Sequence, residues 1–206
     1  MAPLARGVLL DLDGTLLDTA PDLVGSVNAL RAERDLPPIP AGLLATAVSH
    51  GSSPLVRRGF DMDPADERFP GLRERLLTLY RDRVHDETRA FPGMDTLLAE
   101  LDRLGVPWGI VTNKPGWLTR PLLEALGYST RSGCLVTGDD LKLRKPHPYP
   151  VLRGCAALHL PPERCLVVGD AQRDVISGQL AGALTLVALF GYVHAEDRVT
   201  RWAPMA

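Results

Sequence analysis

Five short apolar runs carry the pattern of buried parallel strands. Each run lacks the alternation of apolar and polar residues seen in half-exposed strands, and each is bounded by Gly, Pro or Asp. The five runs are Val8–Leu12, Trp108–Thr112, Cys134–Thr137, Cys165–Gly169 and Leu184–Leu189. Between the later runs, apolar residues recur at helical spacing, which predicts helices over about 94–104, 118–126, 149–158 and 174–181. Alternating strands and helices predict an α/β fold with a doubly wound parallel sheet.

The stretch from about Asp18 to Thr88 departs from this alternation, because it contains no convincing strand pattern. Apolar spacing predicts one helix around residues 23–30 and a later one around residues 72–83. Proline-rich loops and the polar turn Ser49–Ser53 lie between them. We interpret residues 18–88 as a small helical cap domain inserted after the first strand. Residues 1–17 and 89–206 then form the α/β core domain.

The composition of the chain argues against several classes of function. The chain has 206 residues, 45% of them apolar, and a formal net charge of −2, so no overall basic field favours nucleic acid or a membrane surface. No apolar run approaches the roughly 18 residues of a membrane-spanning helix, and the first residues lack a signal-peptide pattern. Three cysteines without CxxC spacing predict reduced core residues. We therefore expect a cytoplasmic protein, monomeric or homodimeric, without a nucleic-acid or membrane partner.

Two carboxylates end the first predicted strand. Strand alternation would place Asp11 and Asp13 on the same side, and Gly14 would let the chain turn sharply after them. Neighbouring carboxylates at the carboxyl end of a parallel strand are unfavourable unless a cation joins them, and Mg²⁺ prefers such oxygen ligands. The alternative is a strand-ending turn with solvated acids.

Polar residues also follow later strands. Thr112 and Asn113 could donate hydrogen bonds to phosphate oxygens, and Asp170 and Asp174 could supply a further metal ligand. Lys145 stands in a proline-rich loop, where it could neutralise phosphate charge. Taken singly, these residues could equally be a polar turn, acids capping a helix and a solvated basic loop.

Taken together, these residues resemble the haloacid dehalogenase-like superfamily, whose four motifs occur here in the same order. The motifs are Asp-x-Asp-Gly-Thr at 11–15, Thr-Asn-Lys at 112–114, Lys-Pro at 145–146 and Gly-Asp-x-x-x-Asp at 169–174. The resemblance extends over about residues 6–192, and the helical insertion matches the small cap of that superfamily. Residues 18–22, 112–115, 145–148 and 181–183 look like the phosphoglycolate phosphatase group. Residues 34–38, 108–112 and 191–197 look like the N-acetylmuramic acid 6-phosphate phosphatases within that group.

The resemblance implies a Mg²⁺-dependent phosphatase that hydrolyses a small phosphate monoester. Asp11 would be the nucleophile and form an aspartyl-phosphate. Asp13 would act as general acid and then general base, and its backbone carbonyl would ligate the metal. Asp170 would be the third metal ligand beside Asp11 and Asp13.

The resemblance also implies roles for the remaining polar residues. Lys145 would offset the charge repulsion between a carboxylate nucleophile and a phosphate. Asp174 would orient Lys145 or a metal-bound water. Thr112 and Asn113 would hold phosphate oxygens.

The cap would select the substrate. We expect the turn containing Ser49, His50, Gly51 and Ser52 to reach the active site, although it could be an ordinary connection between helices. This turn supplies hydroxyls and one imidazole, and Arg57 and Arg58 are expected to face solvent. Phosphoglycolate is the general expectation for the substrate, and N-acetylmuramic acid 6-phosphate is the alternative, because hydroxyls suit a sugar.

Three other classes share parts of this pattern. A dehalogenase has no leaving oxygen to protonate, so Asp13 favours phosphate ester hydrolysis. A phosphomutase also uses two aspartates and would return an isomer of its substrate instead of inorganic phosphate. An inactive relative acting as a scaffold is disfavoured by the intact acids and by Lys145.

Overall fold

The computed structural model describes residues 5–193, 197 and 199–202. Its strands are β1 Gly7–Leu10, β2 Leu17–Asp18, β3 Arg89–Ala90, β4 Trp108–Val111, β5 Leu135–Val136, β6 Cys165–Gly169 and β7 Leu184–Val187. Its helices are α1 Ala20–Ala32, α2 Ala41–Val48, α3 Ser52–Phe60, α4 Phe69–Arg81, α5 Met94–Arg103, α6 Gly116–Ala125, α7 Tyr149–Ala157 and α8 Gln172–Leu180. No helix in these residues is both long enough and apolar enough to cross a bilayer.

Five strands form one parallel sheet in the order β5-β4-β1-β6-β7. Consecutive residues of the central strand β1 enter different cores, because side chains alternate across a sheet. Leu10 packs in a cluster with Ile110 and residues of α5 and α6, whereas Leu9 packs with Val111 and residues of α7. Helices therefore cover both faces, and the predicted doubly wound α/β fold is confirmed.

The inserted stretch consists of α1 to α4, which pack against one another. Sequence reasoning found no strand here, but β2 and β3 pair antiparallel where the chain leaves and re-enters the core. They escaped notice because two residues are too few to show alternation. The second predicted helix, around residues 72–83, corresponds to α4 but is displaced toward the C-terminus, since α4 begins at Phe69 and ends at Arg81, so that Arg83 lies beyond it. The division into two domains at residues 18 and 88 stays a prediction.

The buried carboxylate of Asp22 joins the two ends of this insertion. It lies in the first turn of α1 and accepts hydrogen bonds from the backbone N–H of Glu87 at 3.0 Å and of Thr88 at 2.9 Å. The Thr88 hydroxyl donates a further hydrogen bond to it at 2.7 Å. One side chain thus satisfies three donors at the point where the insertion returns to the core.

Strand β1 ends at Leu10, two residues earlier than predicted. Asp11 and Asp13 therefore lie in the turn that follows the strand, and strand alternation does not place them. The Asp11 N–H still bonds to the Val168 carbonyl at 2.9 Å, after which the chain turns through Gly14 at φ 86°. A Cβ at Gly14 would collide with the Asp170 carboxylate, so glycine allows the turn to approach the end of β6.

Candidate active site

The polar residues at the strand ends converge at one edge of the sheet. Asp11 follows β1, Thr112 follows β4 and Asp170 follows β6, and the carboxyl ends of parallel strands share an edge. A cavity of about 340 Å³ opens there between the core and the cap helices. Its lining includes Asp11, Asp13, Thr112, Asn113, Lys114, Arg144 and Arg173 from the core and Ser49, His50, Gly51, Ser52, Arg73 and Tyr80 from the cap.

Lys145 joins two carboxylates beneath this cavity. Its ammonium nitrogen lies 2.9 Å from Asp11 Oδ1, 2.7 Å from Asp174 Oδ1 and 2.6 Å from the Val111 carbonyl oxygen. Burial alone would raise the pKa of Asp11, but the charges of Lys145 and Arg173 hold that pKa below its ordinary value. Asp11 is therefore a carboxylate at neutral pH, as a nucleophile requires. Burial raises the pKa of Asp174.

Asp170 presents an oxygen without a partner. The Ser49 hydroxyl and the Tyr192 N–H donate to its Oδ2 at 2.7 and 3.0 Å, whereas Oδ1 is buried without a hydrogen bond in the described part of the chain. Burial, and then the charge of Asp11, raise the pKa of this carboxyl to about 6.

The same acids fit a divalent cation. Carboxylate oxygens of Asp11, Asp170 and Asp174 all lie within 4.8 Å of one another. Both oxygens of Asp174 are already engaged, one by Lys145 and the other by the Ala171 N–H at 3.0 Å. Asp11 and the unpartnered Oδ1 of Asp170 are therefore the side chains best suited to a hard cation.

Asp13 lies at the cavity surface and is held through one oxygen. Its Oδ1 accepts hydrogen bonds from the Lys114 ammonium at 2.9 Å and the Thr19 hydroxyl at 2.7 Å. Tyr80, from α4 of the cap, lies with its hydroxyl 2.7 Å from the Lys114 ammonium. No described residue hydrogen-bonds to Oδ2 of Asp13, so that oxygen is available to exchange a proton with a bound molecule.

Thr112 and Asn113 line the cavity beside these acids. The Thr112 hydroxyl accepts a hydrogen bond from the Lys114 N–H at 3.1 Å and can still donate its own proton. The Asn113 side chain exchanges two hydrogen bonds with the Lys145 backbone, at 2.9 and 3.0 Å. This amide therefore fixes the position of the Lys145 loop, while the phosphate role predicted for the Asn113 N–H stays a prediction.

The predicted cap turn reaches the cavity. It connects α2 to α3, and Ser52 already belongs to α3. Burial, and then the charge of Arg173, lower the pKa of His50, so its imidazole is neutral at physiological pH. Sequence reasoning placed no cation at this turn, but Arg73 from α4 lies there, with its Nε donating to the Ser52 hydroxyl at 2.8 Å. Helical spacing could not place it, because the contact joins two separate helices.

Five of the lining residues named above were assigned no role from the sequence: Lys114, Arg144, Arg173, Arg73 and Tyr80. Lys114 is the third residue of the Thr-Asn-Lys motif, and Arg173 stands between the two aspartates of the last motif. The positions of both residues within motifs could therefore have indicated a role in the site. Arg173 Nη2 lies 4.0 Å from Asp11 Oδ2. No sequence motif marks Arg73 or Tyr80, because their position in the site depends on how the cap packs over the core.

Comparison with known proteins places the chain in a family. The model of the haloacid dehalogenase-like hydrolases matches residues 8–188. The chain belongs to this family. It is 40% identical over 197 residues to an N-acetylmuramic acid 6-phosphate phosphatase of Pseudomonas putida, a match covering 96% of this chain and 88% of that protein. It is 39% identical, over 96% of the chain and 89% of the relative, to a phosphoglycolate phosphatase of Xanthomonas campestris.

A solved structure has the same fold. The crystal structure of a predicted phosphoglycolate phosphatase from Haemophilus somnus superimposes with a TM-score of 0.84 and 27% sequence identity, covering 97% of this chain and 92% of that one. The family and these relatives identify the chain as a phosphoric monoester hydrolase.

Proposed function

We propose that this enzyme hydrolyses a small phosphate monoester through an aspartyl-phosphate on Asp11, with Mg²⁺ as cofactor. The observation that carries the proposal is the environment of Asp11. This buried carboxylate lies at the cavity floor, with Lys145 at 2.9 Å and Arg173 at 4.0 Å to keep it ionised. A carboxylate flanked by two cations can approach a phosphate whose charge would otherwise repel it.

In the first step, an Asp11 oxygen attacks phosphorus and the bond from phosphorus to the ester oxygen breaks. Asp13, through its free Oδ2, gives its proton to the departing oxygen. In the second step, Asp13 takes a proton from water as that water attacks the phosphorus of the acyl-phosphate. Inorganic phosphate leaves, and Asp11 returns to a carboxylate. Thr112, the Asn113 N–H and Arg173 hold the phosphate oxygens during both steps.

Asp11, the backbone carbonyl of Asp13 and Asp170 would hold Mg²⁺. The buried, unpartnered Oδ1 of Asp170 and its raised pKa support a cation there. The bound ion supplies positive charge that offsets the repulsion between the nucleophile and the phosphate. Asp174 orients Lys145 through their 2.7 Å ion pair.

Phosphoglycolate is the first substrate candidate, because the chain resembles phosphatases of that name. N-acetylmuramic acid 6-phosphate is the second, and a specific observation favours it. Hydroxyls of Ser49, Ser52 and Ser53, together with the neutral His50, line the cap side of the cavity and suit the polar edge of a sugar. A cytoplasmic location and a monomeric or homodimeric state stay predictions.

The test is phosphate release from a panel of esters that includes both candidates and 4-nitrophenyl phosphate. We expect activity with Mg²⁺ and loss of activity with a chelator, whereas full activity in metal-free buffer would contradict the cofactor. Release of an isomer in place of phosphate would indicate a mutase.

His50→Ala should change kcat/KM for the preferred ester, and a change below twofold for both esters would rule out a role of the turn in recognition.

A further inference from the structure

Arg73 differs from the other arginines of its helix. Arg75 pairs with Glu33 at 2.5 Å and Arg81 pairs with Asp82 at 2.9 Å, both on the exposed surface of the cap. Arg73 is also exposed to solvent, but it lines the cavity, and within the described ranges no carboxylate comes within 4.0 Å of it. Its only hydrogen bond there is from Nε to the Ser52 hydroxyl, so its terminal nitrogens keep their donors.

The charged groups described at the cavity floor pair with one another and leave no carboxylate for Arg73. Lys145 is matched by Asp11 and Asp174, and Lys114 by Asp13. A bound phosphate dianion would be matched by the divalent cation and by Arg173 beside the nucleophile. A guanidinium on the cap side therefore faces the opposite part of the substrate, the leaving group. A planar fork of N–H donors is best satisfied there by a carboxylate.

We propose that Arg73 binds a carboxylate on the leaving group and thereby makes the enzyme selective for phosphate esters of organic acids. This inference rests on the proposed function and names the chemical class of its substrate. Both candidate esters carry a carboxylate, although one is a two-carbon acid and the other a sugar acid. Ser52 acts as a positioning residue, because its hydroxyl accepts from Nε and leaves the terminal nitrogens toward the cavity.

The experiment compares each acid with a matched neutral ester. Phosphoglycolate is paired with phosphoglycolamide, and N-acetylmuramic acid 6-phosphate is paired with N-acetylglucosamine 6-phosphate, which lacks the acidic side arm. The readout is the ratio of kcat/KM for the acid to kcat/KM for its neutral partner. A lost charge-assisted hydrogen bond corresponds to about 10- to 100-fold, so Arg73→Gln should reduce this ratio by about that factor for at least one pair.

Graded variants separate recognition from a structural effect. Arg73→Lys keeps the charge and loses the fork, so it should give an intermediate ratio. Ser52→Ala should reduce the ratio less than Arg73→Gln does. The matched control is Arg57→Gln, which removes an exposed cap arginine outside the cavity and should leave the ratio at its wild-type value.

Three outcomes would overturn the proposal while leaving the phosphatase assignment intact. The first is a wild-type enzyme that releases phosphate from each acid and its neutral partner with a ratio near one. The second is an equal loss of activity toward acid and neutral esters in Arg73→Gln, and the third is a selective loss in Arg144→Gln in place of Arg73→Gln. If the wild-type enzyme releases no phosphate from any ester, 4-nitrophenyl phosphate included, the proposed function itself fails.

Discussion

The ammonium group of Lys114 lies 2.9 Å from Oδ1 of Asp13, and both side chains are largely shielded from solvent. The same ammonium lies 2.7 Å from the hydroxyl of Tyr80, which belongs to the cap helix α4. One core lysine thus connects the proposed general acid and base to the cap. Because Lys114 and Thr19 both bond to Oδ1, they fix the side chain in the orientation that leaves Oδ2 free.

We expect Lys114→Met to lower kcat by about 10- to 100-fold, since proton transfer by a positioned group contributes roughly 10²–10⁴-fold and only the positioning is lost. Tyr80→Phe is the matched control, because it removes the cap hydroxyl and keeps the pair of Lys114 with Asp13. Its kcat should stay within about threefold of wild type. Steady-state kinetics with one substrate measure both variants, and equal losses would mean that the link to the cap matters more than the position of Asp13.

Replacing each of the two aspartates of the first motif should impair a different step of the reaction. Asp11→Asn should abolish the phosphoenzyme, because the nucleophilic carboxylate is gone. Asp13→Asn should slow turnover by roughly 10²–10⁴-fold and let phosphoenzyme accumulate with 4-nitrophenyl phosphate, whose leaving group needs little protonation. Acid quenching followed by mass measurement of the intact chain detects the bound phosphate. Near-normal turnover by Asp11→Asn would show that the nucleophile is misassigned.

Sequence reasoning predicted the parallel sheet correctly, because apolar runs and helical spacing follow the local order of the chain, and it placed Asp11 and Asp170 at strand ends, while their catalytic roles stay predictions. Asp11 and Asp170 follow buried apolar runs, and parallel topology then brings those strand ends to one edge. The same reasoning was wrong about strand alternation in the first motif, because β1 ends before Asp11 and a turn carries the chain on to Asp13.

The contacts that cap residues make with distant parts of the chain could not be predicted from the sequence. Arg73 meets Ser52 across 21 positions, and Tyr80 meets Lys114 across 34. Neither pair follows a helical or strand period, since each depends on the angle at which α4 packs. The resemblance supplied family roles for the motif residues, and it offered none for these two cap residues.

Asp22→Ala should destabilise the protein strongly. The substitution leaves two backbone N–H groups and the Thr88 hydroxyl without their acceptor, and both Asp22 and Thr88 are fully buried. Unsatisfied buried donors cost about 1–3 kcal/mol, so we expect the free energy of unfolding to fall by about 2–4 kcal/mol in urea titrations. Asp82→Ala, which removes an exposed ion pair with Arg81, should change it by less than about 1 kcal/mol. Equal effects of the two variants would contradict the role assigned to Asp22.

Asp170 should make the metal-free protein less stable as the pH rises. Its pKa is about 6 in the folded protein, against an ordinary value of 3.8. Between these pH values the folded state holds a proton that the unfolded chain has released, so the free energy of unfolding decreases as the pH rises from about 4 to 6. Above pH 6 the whole effect is present, at most about 3 kcal/mol for a shift of this size.

Asp170→Asn removes the charge and keeps an oxygen that can accept from Ser49 and Tyr192. With chelator at pH 7.5, urea titration should therefore find this variant more stable than wild type by about 1–3 kcal/mol, with no advantage at pH 4. Adding Mg²⁺ should reverse the order, because a cation bound only to the folded state stabilises the wild type and the variant has lost a ligand. Asp86→Asn, at an exposed carboxylate, should follow wild type throughout. Asp170 would not be a metal ligand if Asp170→Asn were no more stable than wild type with chelator at pH 7.5 and were stabilised by Mg²⁺ as much as wild type is.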